Sequence, residues 1–381
     1  MLHTRIYSSQ APSTQKALLD IGVDYRRDGF DADVALIFAS IHHASHGEDL
    51  NHALKDILGD IPFLGWLGTS VYHSNIIPEW QPALVIMLLS GVEAHVSSAM
   101  MNPLGAHIGV SLLADSPTGA HRFLSVTHDA TDFKGLLNTL DEQSVPLTGV
   151  VSLSPKNMES LLICSSTDND DKRCAGMLSL SNIKMVWQVA HGTQLLGAKH
   201  QITEATNHLL YEIDGRPALE VLLDDLPPSL HDSLPQLGGR LFVGLATPDG
   251  DEWLMRPVSG IDPNQGALMI PEQCQDHEEL AFFIQDLQAA QSNIQEAVKN
   301  LKTNLGNQTP GALILFNCTS RDEKTMGEAL FDLKTIQNAF PKKIPITGIA
   351  GGGELTTIGR QSHLFQYCSV IVALLEDNTH A

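Results

Sequence analysis

IPITGIAGGGE (344–354), lying between GALILFNCTS (311–320) and CSVIVALLE (368–376), decides how this chain folds. An apolar run ends in a polar loop and an amphipathic stretch follows. A second apolar run then passes through a Pro-x-x-Gly turn before a third closes the unit. The same grammar stands near the other end, in VALIFASIHH (34–43), IPFLGWLGTS (61–70) and PALVIMLLS (82–90). The offset between the copies drifts from 277 residues (Ala35 to Ala312) to 283 (Pro62 to Pro345), so length changes fall between the matched blocks. Short apolar runs alternating with helical spacing predict strand–helix–strand modules. Their recurrence predicts a duplicated α/β architecture of two related domains, each a mixed β-sheet with flanking helices. VPLTGVVSLS (145–154), after a helix expected over 132–140, repeats the turn at Pro146 and Gly149 and points to a weaker third copy.

At 381 residues the chain exceeds one ordinary core. A formal net charge of -21 excludes the basic stripe that a nucleic-acid backbone needs, and it disfavours an anionic membrane surface. The cysteines, Cys164, Cys174, Cys274, Cys318 and Cys368, are odd in number and scattered, with no Cys-x-x-Cys pair. That usage predicts a reducing compartment, with neither a disulfide framework nor a zinc knuckle. The first residues lack a signal-peptide core, and no apolar run approaches a membrane span. The expected location is cytoplasmic.

Along the chain, residues 1–30 read as an N-terminal arm. A strand at 34–38, a polar loop at HHASHG (42–47) and a helix over 48–58 follow. Strands are expected at 61–66, 82–89, 161–164, 175–180 and 184–189. The Asp214-Gly215 turn, ahead of a helix opening near Pro217, marks the boundary between domains at 31–213 and 214–381. The second half adds a strand at LFVGLA (241–246), a hairpin through GALMIP (266–271) and a helix over 292–305.

At DGRPAL (214–219) the order of segments becomes specific. HGTQLLG (191–197) followed by DGRPA (214–218), then RPVSGID (256–262), FNCTSR (316–321) and PITGIAGGGE (345–354), resembles the FIST family. These are sensory modules made of an N and a C domain, and the resemblance runs from about Ala32 to Leu375. It implies a cytoplasmic, non-catalytic sensor that binds a small ligand, an amino acid or related metabolite. It also implies output through a separate signalling protein such as a histidine kinase or cyclase. Two departures stand out. The family's Gln-Gly-Cys is His191-Gly192-Thr193 here, and its N-domain Cys-Ser-Thr-Ala-Gly-Glu is Trp66-Leu67-Gly68-Thr69-Ser70-Val71, which lacks the carboxylate.

The two glycine-rich turns are the expected ligand site: Gly65, Gly68 and Thr69 in one copy, and Gly348, Gly351, Gly352, Gly353 and Glu354 in the other. Such turns let a backbone approach a ligand and aim N–H groups at an anion, although packing between strands demands glycine too. They lack the Gly-Lys-Ser/Thr ending of a nucleotide loop. Glu354 and Arg321 add a carboxylate for a ligand amine and a guanidinium for a ligand acid. Cys318 has no catalytic signature around it and reads as a small buried hydrophobe. Of the 17 histidines, His42, His43, His46 and His52 cluster in what reads as a solvated loop. FIST-type haemoproteins that sense nitric oxide use one proximal histidine, so the resemblance offers haem as the alternative ligand. His191 is then the axial candidate, with His73 and His200 behind it.

Overall fold

A computed structural model describes residues 1–75, 77–114, 116–117, 121–127, 132–153, 173–247, 252–272, 274 and 278–377, without the side chains of 45–49. It divides into two compact units. One comprises residues 1–190, 294–364 and 368–381, and the other residues 191–293 and 365–367.

The first module of the larger unit is β1 (His3–Ser9), α1 (Thr14–Asp28), β2 (Val34–Ser40), α2 (Gly47–Leu58), β3 (Phe63–Gly68), β4 (Ser70–His73) and β5 (Leu84–Ser90). The expected N-terminal arm is therefore part of the fold. Ser13 caps α1 by accepting the Lys16 N–H, Gly29 ends it in the left-handed region (φ 65°), and Ala17, Leu18, Ile21 and Gly22 are buried. β1 pairs antiparallel with β5. The expected solvated histidine loop is instead a 3-10 helix, Ile41–His46, running straight into α2. His43 is buried there, its Nδ1 2.9 Å from the Thr14 hydroxyl.

The second module repeats this order as β6 (Glu93–Met100), α3 (Gly105–Leu113), β7 (His121–Thr127), α4 (Phe133–Asp141), β8 (Leu147–Ser152) and β9 (Arg173–Ser181). The strand expected at 161–164 lies outside the described residues. β10 (Ile183–His191) opens the third module.

The smaller unit intervenes here. It holds β11 (Thr193–Thr206), β12 (Leu209–Ile213), β13 (Arg216–Pro217), α5 (Ala218–Asp225), β14 (Leu241–Ala246), β15 (Trp253–Pro257), β16 (Gly260–Asp262), β17 (Ala267–Met269) and β18 (Glu279–Gln285). They form one antiparallel sheet ordered β15-β14-β18-β11-β12-β17-β16, with β13 on β12. Ile202, Leu210, Ile213, Leu222 and Phe282 centre its core. The boundary expected at 213/214 falls inside this unit.

The third module then resumes with α6 (Leu287–Leu305), β19 (Ala312–Cys318), the short α7 (Glu323–Met326), α8 (Phe331–Ala339), β20 (Ile346–Gly351), β21 (Glu354–Ile358), β22 (Gln361–Phe365) and β23 (Cys368–Glu376).

The fold is α/β with mixed sheets and matched modules at both ends, and the weaker copy is a full third repeat. In each, a parallel pair (β2/β3, β7/β8, β19/β20) is flanked by an antiparallel strand (β5, β9, β23). The module's opening strand (β1, β6, β10) then pairs with that flanking strand. The three Pro-x-x-Gly turns do one job. The carbonyls of Pro62, Pro146 and Pro345 open the parallel ladders by accepting the N–H groups of Ala35, Arg122 and Leu313 at 2.9, 3.0 and 2.9 Å. Proline fits there because it precedes the strand and its missing N–H costs the ladder nothing.

On one face each sheet buries Leu, Ile and Ala against its helices. On the other, Phe38, Trp66, Phe123 and Phe316 meet at centroid distances of 5.3–6.1 Å, joining all three modules. The buried Trp66 indole donates to the Leu124 carbonyl at 3.0 Å, so its polar atom is satisfied.

Candidate functional site

Each parallel pair ends where another begins to cross it. Thr69 N–H donates to the Ala350 carbonyl at 3.0 Å, and Leu153 N–H donates to that of Leu67 at 2.9 Å. Gly352 N–H donates to Val151, and Val151 N–H to Gly353, both at 2.8 Å. The three strand ends therefore close a ring of main-chain hydrogen bonds. Beyond it two strands change sheets: β4 pairs antiparallel with β20 of the third module, and β21 with β8 of the second.

This ring gives the glycines a reason that requires no ligand. A Cβ on Gly68 would lie 2.1 Å from the Ala350 oxygen, and one on Gly351 would lie 2.7 Å from that of Val151. Gly348 has the same constraint within its sheet, since its Cβ would lie 1.9 Å from the Leu315 oxygen. Gly65 holds the corresponding position opposite Ile37. Rather than an open anion-binding turn, residues 346–351 are strand β20, and the N–H groups of Thr69 and Gly352 are spent on carbonyls. Gly353 contributes its carbonyl to the ring.

Glu354 differs in kind. It opens β21 opposite Val150, with no exposed surface, and its Oε2 accepts from the Cys368 thiol at 3.2 Å. Its Oε1 has no hydrogen-bond partner among the described residues. Burial pushes this carboxyl well above the ordinary range, with the Cys368 hydrogen bond and the Arg321 charge pulling partly back. Burial likewise pushes the Cys368 thiol up, and the Glu354 charge adds to it. In the matching place on β4, opposite Ile349, stands Val71, so the first copy has no carboxylate there.

Arg321 is 5% exposed and forms a two-bond pair with Asp332, Nε to Oδ2 at 2.8 Å and Nη2 to Oδ1 at 3.0 Å. Asp332 lies in the first turn of α8, where a carboxylate suits the helix dipole. It also accepts from Asn317 Nδ2 at 3.1 Å, and the Ser369 hydroxyl lies 2.8 Å away. Asn317 Nδ2 is also 3.0 Å from the Tyr72 hydroxyl. One Arg321 nitrogen, Nη1, is buried with no partner among the described residues, and so is the Thr69 hydroxyl. The structure thus brings Arg321 and Glu354 close enough for their charges to interact. Around them stand Asp332, Asn317, Tyr72, Cys368 and Ser369, which sequence reasoning missed. Asn317 carries a faint signal, since a carboxamide in the middle of an apolar strand needs partners.

The histidines go elsewhere. His191, in the smaller unit, has Nε2 3.1 Å from Glu252 Oε2, and its Nδ1 is buried. With one nitrogen engaged by a carboxylate and the other enclosed, this imidazole fits a hydrogen-bonded partner of Glu252 and does not fit an axial haem ligand. His200 sits between two carboxylates, Nδ1 2.7 Å from Asp214 and Nε2 2.9 Å from Asp225. Burial alone would lower its pKa, but the two aspartates together raise it. Burial lowers that of His73, which bonds to Asn75. The Asp214-Gly215 pair is thereby explained: both are in the left-handed region (φ 51° and 73°), and Asp214 also accepts the Gln201 N–H. Among the described residues, no group of three or more His, Cys, Asp or Glu is placed to hold a metal ion. No helix among them is long and apolar enough to cross a membrane.

Several known proteins are similar to this chain. An uncharacterized protein of Mycobacterium bovis is 22% identical over 388 residues, covering 96% of this chain and 97% of its own. An uncharacterized protein of Mycobacterium tuberculosis is 23% identical over 391 residues, covering 97% and 98%. Among solved structures, a cyanuric acid hydrolase from A. caulinodans aligns over 99% of this chain and 100% of its own, at 9% identity and a TM-score of 0.37. Family models match the FIST N domain over residues 33–216 and the FIST C domain over residues 218–357, and this chain belongs to the FIST family.

Proposed function

We propose that this protein is a non-catalytic, cytoplasmic sensor of a small zwitterionic metabolite, an amino acid or a close relative, bound at Arg321 and Glu354. FIST domains are sensory domains. The observation that carries the ligand class is a set of three buried polar atoms without partners among the described residues: Arg321 Nη1, Glu354 Oε1 and the Thr69 hydroxyl. A guanidinium N–H suits a ligand carboxylate, the buried Glu354 carboxyl would ionise against a ligand ammonium, and a hydroxyl serves either. Leaving such atoms unmade costs about 1–3 kcal/mol each, which a fitting ligand returns. Gly68, Gly351, Gly352 and Gly353 at the backbone ring, and Gly65 and Gly348 at close strand approaches, would hold these side chains in place. Binding would favour one arrangement of the strand ends over another, and a separate signalling protein, a histidine kinase or cyclase, would read that shift. The scattered cysteines support a reducing compartment.

Isothermal titration calorimetry against the common amino acids and their decarboxylated and deaminated analogues tests this. One saturable ligand is expected, with affinity falling about 10–100-fold in Glu354→Gln, since a charged hydrogen bond is worth about 1.5–3 kcal/mol. Equal affinity in that variant, or equal binding of the deaminated analogue, would remove Glu354 from the site.

A further inference from the structure

Two thiols stand beside Glu354, and neither has a part in holding a zwitterion. Cys318 ends β19 and Cys368 opens β23. The antiparallel register runs Leu315 opposite Ile371, Phe316 opposite Val370 and Asn317 opposite Ser369. Carried one step beyond its last pair, that register would set Cys318 opposite Cys368. Directly opposed residues in such a ladder have Cα atoms about 4.5–5.5 Å apart and side chains on the same face. That spacing lies within the range of about 4.4–6.8 Å that a disulfide requires. The neighbouring pair, Asn317 and Ser369, turns toward Asp332 on α8, so the two sulfurs share the opposite face, which carries Phe316.

We propose that Cys318 and Cys368 form a reversible, hydroperoxide-driven disulfide, with Glu354 receiving the proton of Cys368. Three observations support it beyond the register. The Cys368 thiol already donates to Glu354 at 3.2 Å, which is the geometry a proton relay through that carboxyl needs. The Ser320 hydroxyl donates to the Cys318 sulfur at 3.1 Å, stabilising negative charge on it. Arg321 acts electrostatically on both sulfurs. Cys318, at 7%, is the more exposed of the two and is the first to meet the oxidant.

The chemistry balances. The Cys318 sulfur attacks one peroxide oxygen, the O–O bond breaks, and the thiol proton leaves with the departing alcohol or water. Cys318 is then a sulfenic acid. Cys368 attacks the Cys318 sulfur, forming S–S and breaking S–O, and its proton passes to one oxygen of the Glu354 carboxyl as the proton that carboxyl already holds leaves from the other. The departing hydroxide takes the proton from Glu354 as water. Two thiols are oxidised and one hydroperoxide is reduced. The product belongs to the transient, sensing class of disulfide that a reducing compartment permits. None of these steps depends on the ligand reading.

The test is to treat the reduced, folded protein with hydrogen peroxide, then denature it, alkylate it and map the peptides by mass spectrometry. Two of the five thiols should resist alkylation, joined as the peptides bearing Cys318 and Cys368, and dithiothreitol should restore them. Cys368→Ser should halt at a sulfenic acid on Cys318, trapped by dimedone. Glu354→Gln should trap more sulfenic acid and close the disulfide at least about tenfold more slowly. Five alkylatable thiols after peroxide, or a bridge involving any other cysteine, would overturn the proposal. Closure at the native rate in Glu354→Gln would overturn the role of the carboxylate.

Discussion

A carboxyl group with no exposed surface either finds donors or keeps its proton. Glu354 has the Cys368 thiol, a nearby guanidinium and main-chain N–H groups of Cys368 and its own residue, and burial still holds its pKa well above the usual value of 4.5. The folded chain therefore retains a proton that the unfolded chain releases. This group's contribution to stability is complete below the unfolded pKa and is lost as pH rises through the raised one. Glu354→Gln keeps the shape and removes the titration. Between about pH 5 and about pH 8 the melting temperature of the wild type should fall relative to that of the variant, with the two closest at the acid end. Parallel curves from thermal denaturation across that range would mean that Glu354 ionises as an ordinary carboxyl. The expected fall would show that this residue costs stability at neutral pH for the sake of its site, as functional groups often do.

At the scale of one element, the turn glycines decide how closely strands approach. Gly149 sits on β8 opposite Leu124, and a Cβ there would lie 1.9 Å from the Leu124 oxygen, the constraint met at Gly348. The backbone must shift to admit it. Gly149→Ala should therefore destabilise the larger unit by roughly 1–3 kcal/mol, read as a lower urea midpoint at an unchanged slope. An unchanged midpoint would show that the approach is looser than the register implies. These turns were also what made the fold legible from sequence. Pro-x-x-Gly between apolar runs exposed the modules at both ends and, at Pro146, the third. What stayed hidden was non-local. β1 and α1 carry no such turn, so they read as an arm, although β1 completes the first sheet. Tyr72 and Asn317 meet across 245 residues of chain, and no local spacing reports that. Glu354 and Arg321 were visible as charges at strand ends, whereas Asp332, the partner of Arg321, was lost among ordinary helix carboxylates. The glycines read as ligand turns lie mostly within strands β3 and β20, and sequence alone left open whether they faced a ligand or a carbonyl.

At the scale of the larger unit, three modules of like design are tied in a way that stacked repeats are not. In a solenoid each repeat completes its own sheet and meets only its neighbours, so opening can begin at one end. Here β4 leaves the first module to pair with β20 of the third, and β21 leaves the third to pair with β8 of the second. The ring from Thr69 to Ala350, Gly352 to Val151 and Leu153 to Leu67 closes the circuit. Phe38, Phe123 and Phe316, one from each module, share one aromatic cluster with Trp66. Removing the first module strips β4 from the third module's sheet, removing the third strips β21 from the second's, and removing any of the three opens the shared core, exposing main-chain groups that would each demand new partners. Opening one module alone should therefore cost nearly as much as opening all three. Native-state hydrogen exchange measures this directly. Amides in β2, β7 and β19 should share one opening free energy and one dependence on denaturant. Three separate isotherms, one for each module, would mean that the exchanged strands and the central aromatics do not couple the repeats, and that each folds on its own.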